Sequence, residues 1–318
     1  MPVSHVVKGL LVGAAALTLA VTGVTTASAA PPDLVNRGLY AAVGDSFAAG
    51  VGNPTLPGAG ASLRSADAYP VLLAGKANKV TFLAASGATT ATVLAQVPYV
   101  PGGARQITVT VGGNDIGFAS LAIACAGGLQ TTACTTAQAA AQAGLRALPG
   151  NLIAVIAALH TQAPAAHIYV TGYPLLFQPQ MSSSGPSCPL PYDPKALATA
   201  DQITATLNGV INGVVSGVGQ AGSVVTYVDV TGGDAFGGHG LCDGAASYIF
   251  PPTFAPGTSV PMPSSLHPTP AGQMAYAEAI VDVGFRTAAL DPFFSSDHER
   301  STGTDWGTRG KSGHVGKP

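Results

Sequence analysis

The chain has 318 residues, 9% of them charged and 47% hydrophobic, with a formal net charge of -2. That balance excludes a nucleic-acid binder that works by neutralising phosphates, because the sequence has no basic stripe. A mean hydropathy of +0.36 with so little charge also excludes a disordered chain and points to a compact globule.

The first thirty residues stand apart. His5 and Lys8 accompany an apolar run from residue 9 to about 24, and "TTASAA" follows with small residues suited to cleavage. This is the order of a secretory signal peptide cut after Ala29 or Ala30. A membrane anchor is the competing reading, but the run is short for a span and no basic stop-transfer cluster follows. Export is expected, with no stable membrane anchor, and loss of Lys8 takes the net charge to -3.

The cysteines are Cys125, Cys134, Cys188 and Cys242. No two form a CxxC pair, so a zinc or redox site lacks support. An even number behind a signal peptide implies two disulfides, and sequence alone allows three connectivities. Cys125–Cys134 with Cys188–Cys242 is the simplest, because the first pair is near in sequence.

Past Ala30 short β-rich runs alternate with longer helical patterns. Candidate strands are 39–43, 79–83, 106–111, 167–171 and 224–228, several of them continuous apolar or β-branched runs. Candidate helices are 70–77, 89–96, 137–161, 196–218 and 271–286. The alternation predicts a doubly wound α/β domain on a parallel sheet. In "LNGVINGVVSGVG", Gly209, Gly213 and Gly217 weaken helix propensity. Four apart, they share a face, which is expected to pack closely on the sheet. Two long stretches, "FQPQMSSSGPSCPLPYDP" and "FGGHGLCDGAASYIFPPTFAPGTSVPMPSS", read as loops of the kind that build binding sites. The expected division is a signal peptide over 1–30, one domain over 31–290 and a polar, disordered tail over 291–318.

In open α/β sheets ligands gather at the carboxyl ends of the strands. After the first β-run comes Gly44-Asp45-Ser46, after the second "AASGATT" with Gly87, and after the third "VGGNDIGF" with Asn114. Much later "SSLHPTPAGQMAYAEAI" sets His267 directly before a helix. Gly-Asp-Ser alone is also ordinary turn chemistry. Three successive strand ends that deliver a hydroxyl, a glycine amide and a carboxamide to one rim are more telling. Ser46 can attack a carbonyl, His267 can take its proton, and the others can bind the oxyanion.

These four blocks, in this order between residues 40 and 286, resemble the SGNH (GDSL) hydrolase family. "RSADAYP", "TGYPLLF", "YVDVTGGDAFGGHGLC" and the cysteine placement are similar to its secreted actinobacterial lipase and esterase branch. The resemblance implies a three-layer α/β/α, flavodoxin-like fold with Ser46 as nucleophile and His267 as general base. It implies an oxyanion hole from the Ser46 N–H, the Gly87 N–H and the Asn114 amide. It also implies a monomer that needs no cofactor and cleaves acyl esters of lipids, from triacylglycerol and phospholipid to simpler esters.

Two departures from that branch matter. Its third disulfide is missing at both places, here Ser62 and Ala85. The usual Asp three residues before the histidine is Ser264, which implies a Ser–His dyad whose imidazole is oriented by a main-chain carbonyl. The Ser264 carbonyl is the first choice and that of Ser265 the second.

Other residues read as structural. Asp45 and Asp115 are expected to hold loop or helix N–H groups. Asp229, Asp234 and Asp243 are candidates for a displaced triad acid, in surroundings that read as structural. His239 either lines the site or satisfies a loop, with the loop role favoured; His160 and His167 look structural, and Trp306 falls in the tail. No HExxH, paired-His helix or acidic ion loop appears, so no metal is called for. Two rival functions use the same scaffold: a carbohydrate-ester deacetylase, and a non-catalytic exported binding protein. Retention of Ser46, Gly87, Asn114 and His267 together argues against the second.

Overall fold

Five parallel strands form the central sheet of the computed structural model, which describes residues 40–75, 80–125, 128–183, 185–190, 192–220, 224–258 and 260–287. The expected signal peptide, its cleavage site and the tail with Trp306 lie outside the described residues. The strands are β1 (Tyr40–Gly44), β2 (Val80–Phe82), β3 (Gln106–Thr110) and β4 (His167–Thr171), then a hairpin of β5 (Gln180–Ser182) and β6 (Gly185–Ser187), then β7 (Val225–Val228). The sheet order is β2-β1-β3-β4-β7, and the hairpin stands apart. Tyr40 pairs with both Val80 and Gln106, Gln106 with His167, and Ile168 with Val225. This is the doubly wound, flavodoxin-like arrangement, with β1 next to the point where strand order reverses.

The helices are α1 (Ser46–Ala49), α2 (Tyr69–Ala74), α3 (Thr90–Gln96), α4 (Phe118–Cys125), α5 (Thr132–Gln162), α6 (Pro194–Gln220) and α7 (Pro270–Asp282). Strand side chains alternate between two cores, as a period of two requires. Tyr40, Ala42 and Tyr169 join Leu73, Tyr276 and Ile280 of α2 and α7. Ala41, Val43, Ile168 and Val170 join Leu152, Ile156 and Ile211 of α5 and α6. Fully burying one such aliphatic side chain stabilises the fold by roughly 1.5–3 kcal/mol. The first core also buries hydroxyls, and each has a partner: Tyr69 Oη lies 2.9 Å from Thr110 Oγ1, which lies 2.7 Å from Thr171 Oγ1.

Several elements differ from the sequence-based expectations. α1 is a single turn and the β5–β6 hairpin a pair of three-residue strands, too short to show a period. α5 begins at Thr132 and not at 137, because Thr131 caps it by accepting the Cys134 N–H at 3.1 Å. α7 stops at Asp282, just before Gly284 at φ 97°. Gly209, Gly213 and Gly217 do not pack on the sheet: they are exposed, and an added Cβ at any of them would meet nothing within 4 Å. The buried stripe of α6 is Leu207, Ile211 and Val215, since larger apolar side chains gain more from facing the core. Disulfides join Cys125 to Cys134, tying α4 to the first turn of α5, and Cys188 to Cys242, tying the hairpin to the turn at Leu241–Ala246.

Candidate active site

The first wall of the site is built on strand ends. β1 ends at Gly44, whose φ of 138° would put a Cβ 2.5 Å from the Thr110 carbonyl oxygen; only glycine fits. Gln96 of α3 holds that glycine from both sides, accepting its N–H at 2.9 Å and donating to its carbonyl at 3.0 Å. Asp45 then caps α1 by accepting the Phe47 N–H at 2.9 Å, which sets Ser46 as the first helical residue. Burial pushes the Asp45 carboxyl up to about 7, against the pull of the Tyr173 hydroxyl and two main-chain N–H groups.

Tyr173, just after β4, fastens this turn to the next. Its hydroxyl donates to Asp45 Oδ2 at 2.5 Å and accepts the Gly113 N–H at 2.9 Å. Asn114 follows Gly113, and its side-chain amide donates to the Ala88 carbonyl at 2.9 Å. One amide hydrogen is thereby fixed, so the second is aimed by the same bond. Asp115 holds the start of α3, which Thr89 caps, by accepting the Thr90 N–H at 3.0 Å and the Thr90 hydroxyl. Gly87, the residue before Ala88, is exposed at φ 74° on the loop after β2.

The second wall is a loop. His267 immediately precedes Pro268 and Thr269, the cap of α7. Its Nδ1 lies 3.0 Å from the Ser265 carbonyl. A carbonyl can only accept, which assigns the proton to Nδ1 and leaves Nε2 as a free acceptor. The first-choice carbonyl, that of Ser264, is not the one nearest the ring: it accepts the His267 main-chain N–H at 3.1 Å in the turn. Ser265, the second choice, takes the imidazole. Burial pulls the His267 pKa down to about 4, opposed by the nearby carbonyls of Ser265, Pro263 and Ser264, so the ring is neutral at neutral pH. The ring also packs on Phe47, centroids 5.3 Å apart.

Two amides stitch the walls together. Asn53 Nδ2 donates to the Gly50 carbonyl at 3.1 Å and to the Pro268 carbonyl at 2.9 Å. Gln273 of α7 accepts the Tyr69 N–H at 2.8 Å and donates to the Phe47 carbonyl at 3.1 Å. Between the walls is a cavity of about 360 Å³ onto which Ser46, Gly87, Asn114 and His267 all open, with Phe118, Leu176 and Leu207 among its apolar lining.

The remaining acids are outside that lining. Asp229 accepts the Thr231 N–H at 2.8 Å, Asp243 accepts the Gly240 N–H at 2.9 Å, and Asp234 is exposed. His239 bonds the Ala246 carbonyl at 2.7 Å and stacks on Tyr248, a loop role. His167 sits at the start of β4, the far end of the sheet, 2.7 Å from Thr226 Oγ1, and His160 is in the last turn of α5. Ser86 donates its N–H to the Ser62 carbonyl at 3.0 Å, so the strands of chain at Ser62 and Ala85 adjoin without a disulfide. Gln96, Asn53, Gln273 and Tyr173 were not singled out from sequence. Tyr173 and Gln273 left a signal, inside "TGYPLLF" and "SSLHPTPAGQMAYAEAI".

A serine at a helix start, an acceptor imidazole and amide N–H groups at neighbouring strand ends face one cavity on a doubly wound sheet, an arrangement suited to ester hydrolysis. The sequence model of the GDSL-like lipase/acylhydrolase family matches residues 42–275. A lipase of Streptomyces rimosus is 34% identical over 261 residues, 80% of this chain and 89% of that protein. Lipase 1 of Streptomyces coelicolor is 34% identical over 260 residues, 80% of this chain and 88% of that protein. The crystal structure of the extracellular Streptomyces rimosus lipase superposes with a TM-score of 0.64 at 32% identity, covering 76% of this chain and 98% of that one. Phospholipase A1 of Streptomyces albidoflavus NA297 superposes with a TM-score of 0.66 at 30% identity, covering 77% and 98%. The chain belongs to the GDSL-like lipase/acylhydrolase family and is a carboxylic ester hydrolase.

Proposed function

We propose that this chain is an exported hydrolase that cleaves acyl esters of lipids through an acyl-enzyme on Ser46, with His267 as its only titrating partner. The Ser46 hydroxyl attacks the ester carbonyl as His267 Nε2 takes its proton. The oxyanion is held by the N–H groups of Ser46 and Gly87 and by the Asn114 amide. Collapse expels the alcohol, which leaves with the proton from His267. Water then attacks the acyl-Ser46 carbonyl, again losing its proton to His267, and the carboxylic acid departs as Ser46 regains its hydrogen. None of these steps calls for a cofactor.

The observation that carries this reading is the single cavity onto which Ser46, Gly87, Asn114 and His267 open against an apolar lining. The neutral state of His267 supports it, since only the neutral ring can accept a proton. A main-chain carbonyl in place of a carboxylate supports the dyad: it fixes the tautomer while adding no full negative charge. Export directed by residues 1–30, a single hydrolase domain over 31–290 with a polar tail over 291–318, and action as a monomer belong to the same proposal. The extracellular relative and the paired cysteines support export.

The test is turnover of p-nitrophenyl esters of graded chain length, phosphatidylcholine and acetylated sugars by the purified protein. Acyl esters of lipids should be cleaved, and Ser46→Ala and His267→Ala should each lose at least about a thousand-fold, because such groups act as a unit. Turnover confined to acetylated sugars would make the deacetylase reading correct. Full activity in Ser46→Ala would remove the nucleophile.

A further inference from the structure

Among the described residues, large hydrophobic side chains are exposed at scattered places, but four gather at the cavity mouth: Ile123, Phe254, Val260 and Met262. Ile123 projects from α4, and with Phe254 and Met262 it lines the cavity. The other three lie on two short arms of chain paired by hydrogen bonds. Met262 N–H donates to the Thr253 carbonyl at 2.8 Å, Ala255 N–H donates to the Val260 carbonyl at 2.8 Å, and Phe254 faces Pro261. Val260 is 61% exposed and stands outside the cavity lining.

Both sides of the mouth are free of charge. Residues 116–145 and 244–277 contain no Asp, Glu, Lys or Arg. Prolines 251, 252, 256, 261 and 263 stiffen the paired arms, which lowers the conformational entropy lost when they are ordered against a partner. Uncharged, exposed apolar side chains gathered around one cavity mark an interaction surface. Its position decides the occupant. A protein seated there would cover the entrance to the cavity, whereas a lipid surface would bring acyl esters to it. We propose that the rim of Ile123, Phe254, Val260 and Met262 docks on the surface of aggregated neutral or zwitterionic lipid. This rests on the lipid-ester reading of the same cavity. Apolar side chains lowered into the headgroup boundary supply the attachment, with no electrostatic recruitment by anionic headgroups.

The experiment uses vesicles of ether-linked phosphatidylcholine, which present the surface but no ester to cleave. The exported protein should co-sediment with them, and added salt should not release it. Val260→Asp should weaken that binding at least about ten-fold, since it withholds one buried aliphatic side chain and adds a charge. Its turnover of soluble p-nitrophenyl butyrate should match wild type. Val224→Asp, an equally exposed position beside the start of β7 at the opposite end of the sheet, should change neither. Should Val260→Asp fail to fold, Val260→Trp in a Trp306→Phe background serves instead, with a blue-shifted emission on vesicles expected. Absence of vesicle binding by wild type, equal binding by Val260→Asp, unshifted Trp emission, or a dimer dissociated by Val260→Asp would each overturn the proposal. Loss of p-nitrophenyl butyrate turnover in wild type would strike the hydrolase reading instead.

Discussion

The wall that carries Ser46, Gly87 and Asn114 stands on the ends of β1, β2 and β3, whereas the wall that carries His267 stands on a loop. On the strand side the main chain beside Ser46 and Asn114 is fixed by side chains: Gln96 on Gly44, Asp45 on Phe47, Tyr173 on Gly113. On the loop side the main chain itself fixes the ring, through the Ser265 carbonyl, and Ser265 Oγ ties that turn to Thr253 by accepting its N–H at 2.9 Å and donating to its carbonyl at 2.8 Å. The difference teaches where mutations should act. Strand-side changes act through side chains, and loop-side changes other than at His267 and Ser265 should be forgiving.

The largest expected contrast comes from Asn114→Ala. With the Asn114 amide in its proposed oxyanion role, the substitution should cost about a hundred- to a thousand-fold in kcat, with KM little changed. An effect confined to KM would make Asn114 a substrate contact and weaken the case for the strand-side wall. Tyr173→Phe should come next. It leaves the Gly113 N–H and Asp45 Oδ2 without their buried partner, at about 1–3 kcal/mol for each group left unsatisfied. A thermal melt should show the loss, and kcat should fall more than KM changes because Ser46 and Asn114 lose their common anchor.

Smaller effects are expected on the loop side. Ser264→Ala should retain nearly full activity, since its side chain is not the group beside the ring. Ser265→Ala keeps the carbonyl but frees the turn from Thr253, and should lose up to about a hundred-fold through misplacement of the imidazole. Asp229→Asn, Asp234→Asn and Asp243→Asn should each stay close to wild type. A loss in any one of them equal to that of His267→Ala, in a folded protein, would reveal a triad.

The two walls should also titrate with opposite sign. His267 is lowered from 6.5 to about 4, so between those values the unfolded chain binds the proton and stability rises with pH. Asp45 is raised from 3.8 to about 7, so between those values the folded chain holds the proton and stability falls as pH rises. Chemical denaturation from pH 4 to 6.5 should therefore give Asp45→Asn a more upward slope than wild type and His267→Ala a more downward one. Parallel profiles would mean that the two environments are not as different as their burial implies. The acid limb of kcat/KM should lie near 4 and not near 6.5.

The same contrast explains what was legible in the sequence. Strand-side groups follow a simple rule, one polar or glycine residue just past each β-run, and the sharing of one cavity by Ser46, Gly87 and Asn114 is legible from the strand ends. The position of His267 is legible from the helix it precedes. Its carbonyl partner was placed one residue early, at Ser264, because main-chain hydrogen bonding in a turn leaves no mark on residue type. Gln96, Asn53 and Gln273 escaped for a related reason: an amide that bonds backbone from another element looks like any surface amide until the elements meet. Gly209, Gly213 and Gly217 misled because spacing gives a shared face but not which way it points.

The most direct test of Ser46 and His267 as one catalytic unit is reaction with a fluorophosphonate, followed by peptide mass mapping in wild type and in His267→Ala. A single adduct on the Ser46 peptide is expected in wild type, formed at least about a thousand-fold more slowly once the His267 imidazole is gone. An adduct on another residue, or an unchanged rate at Ser46 without His267, would contradict it.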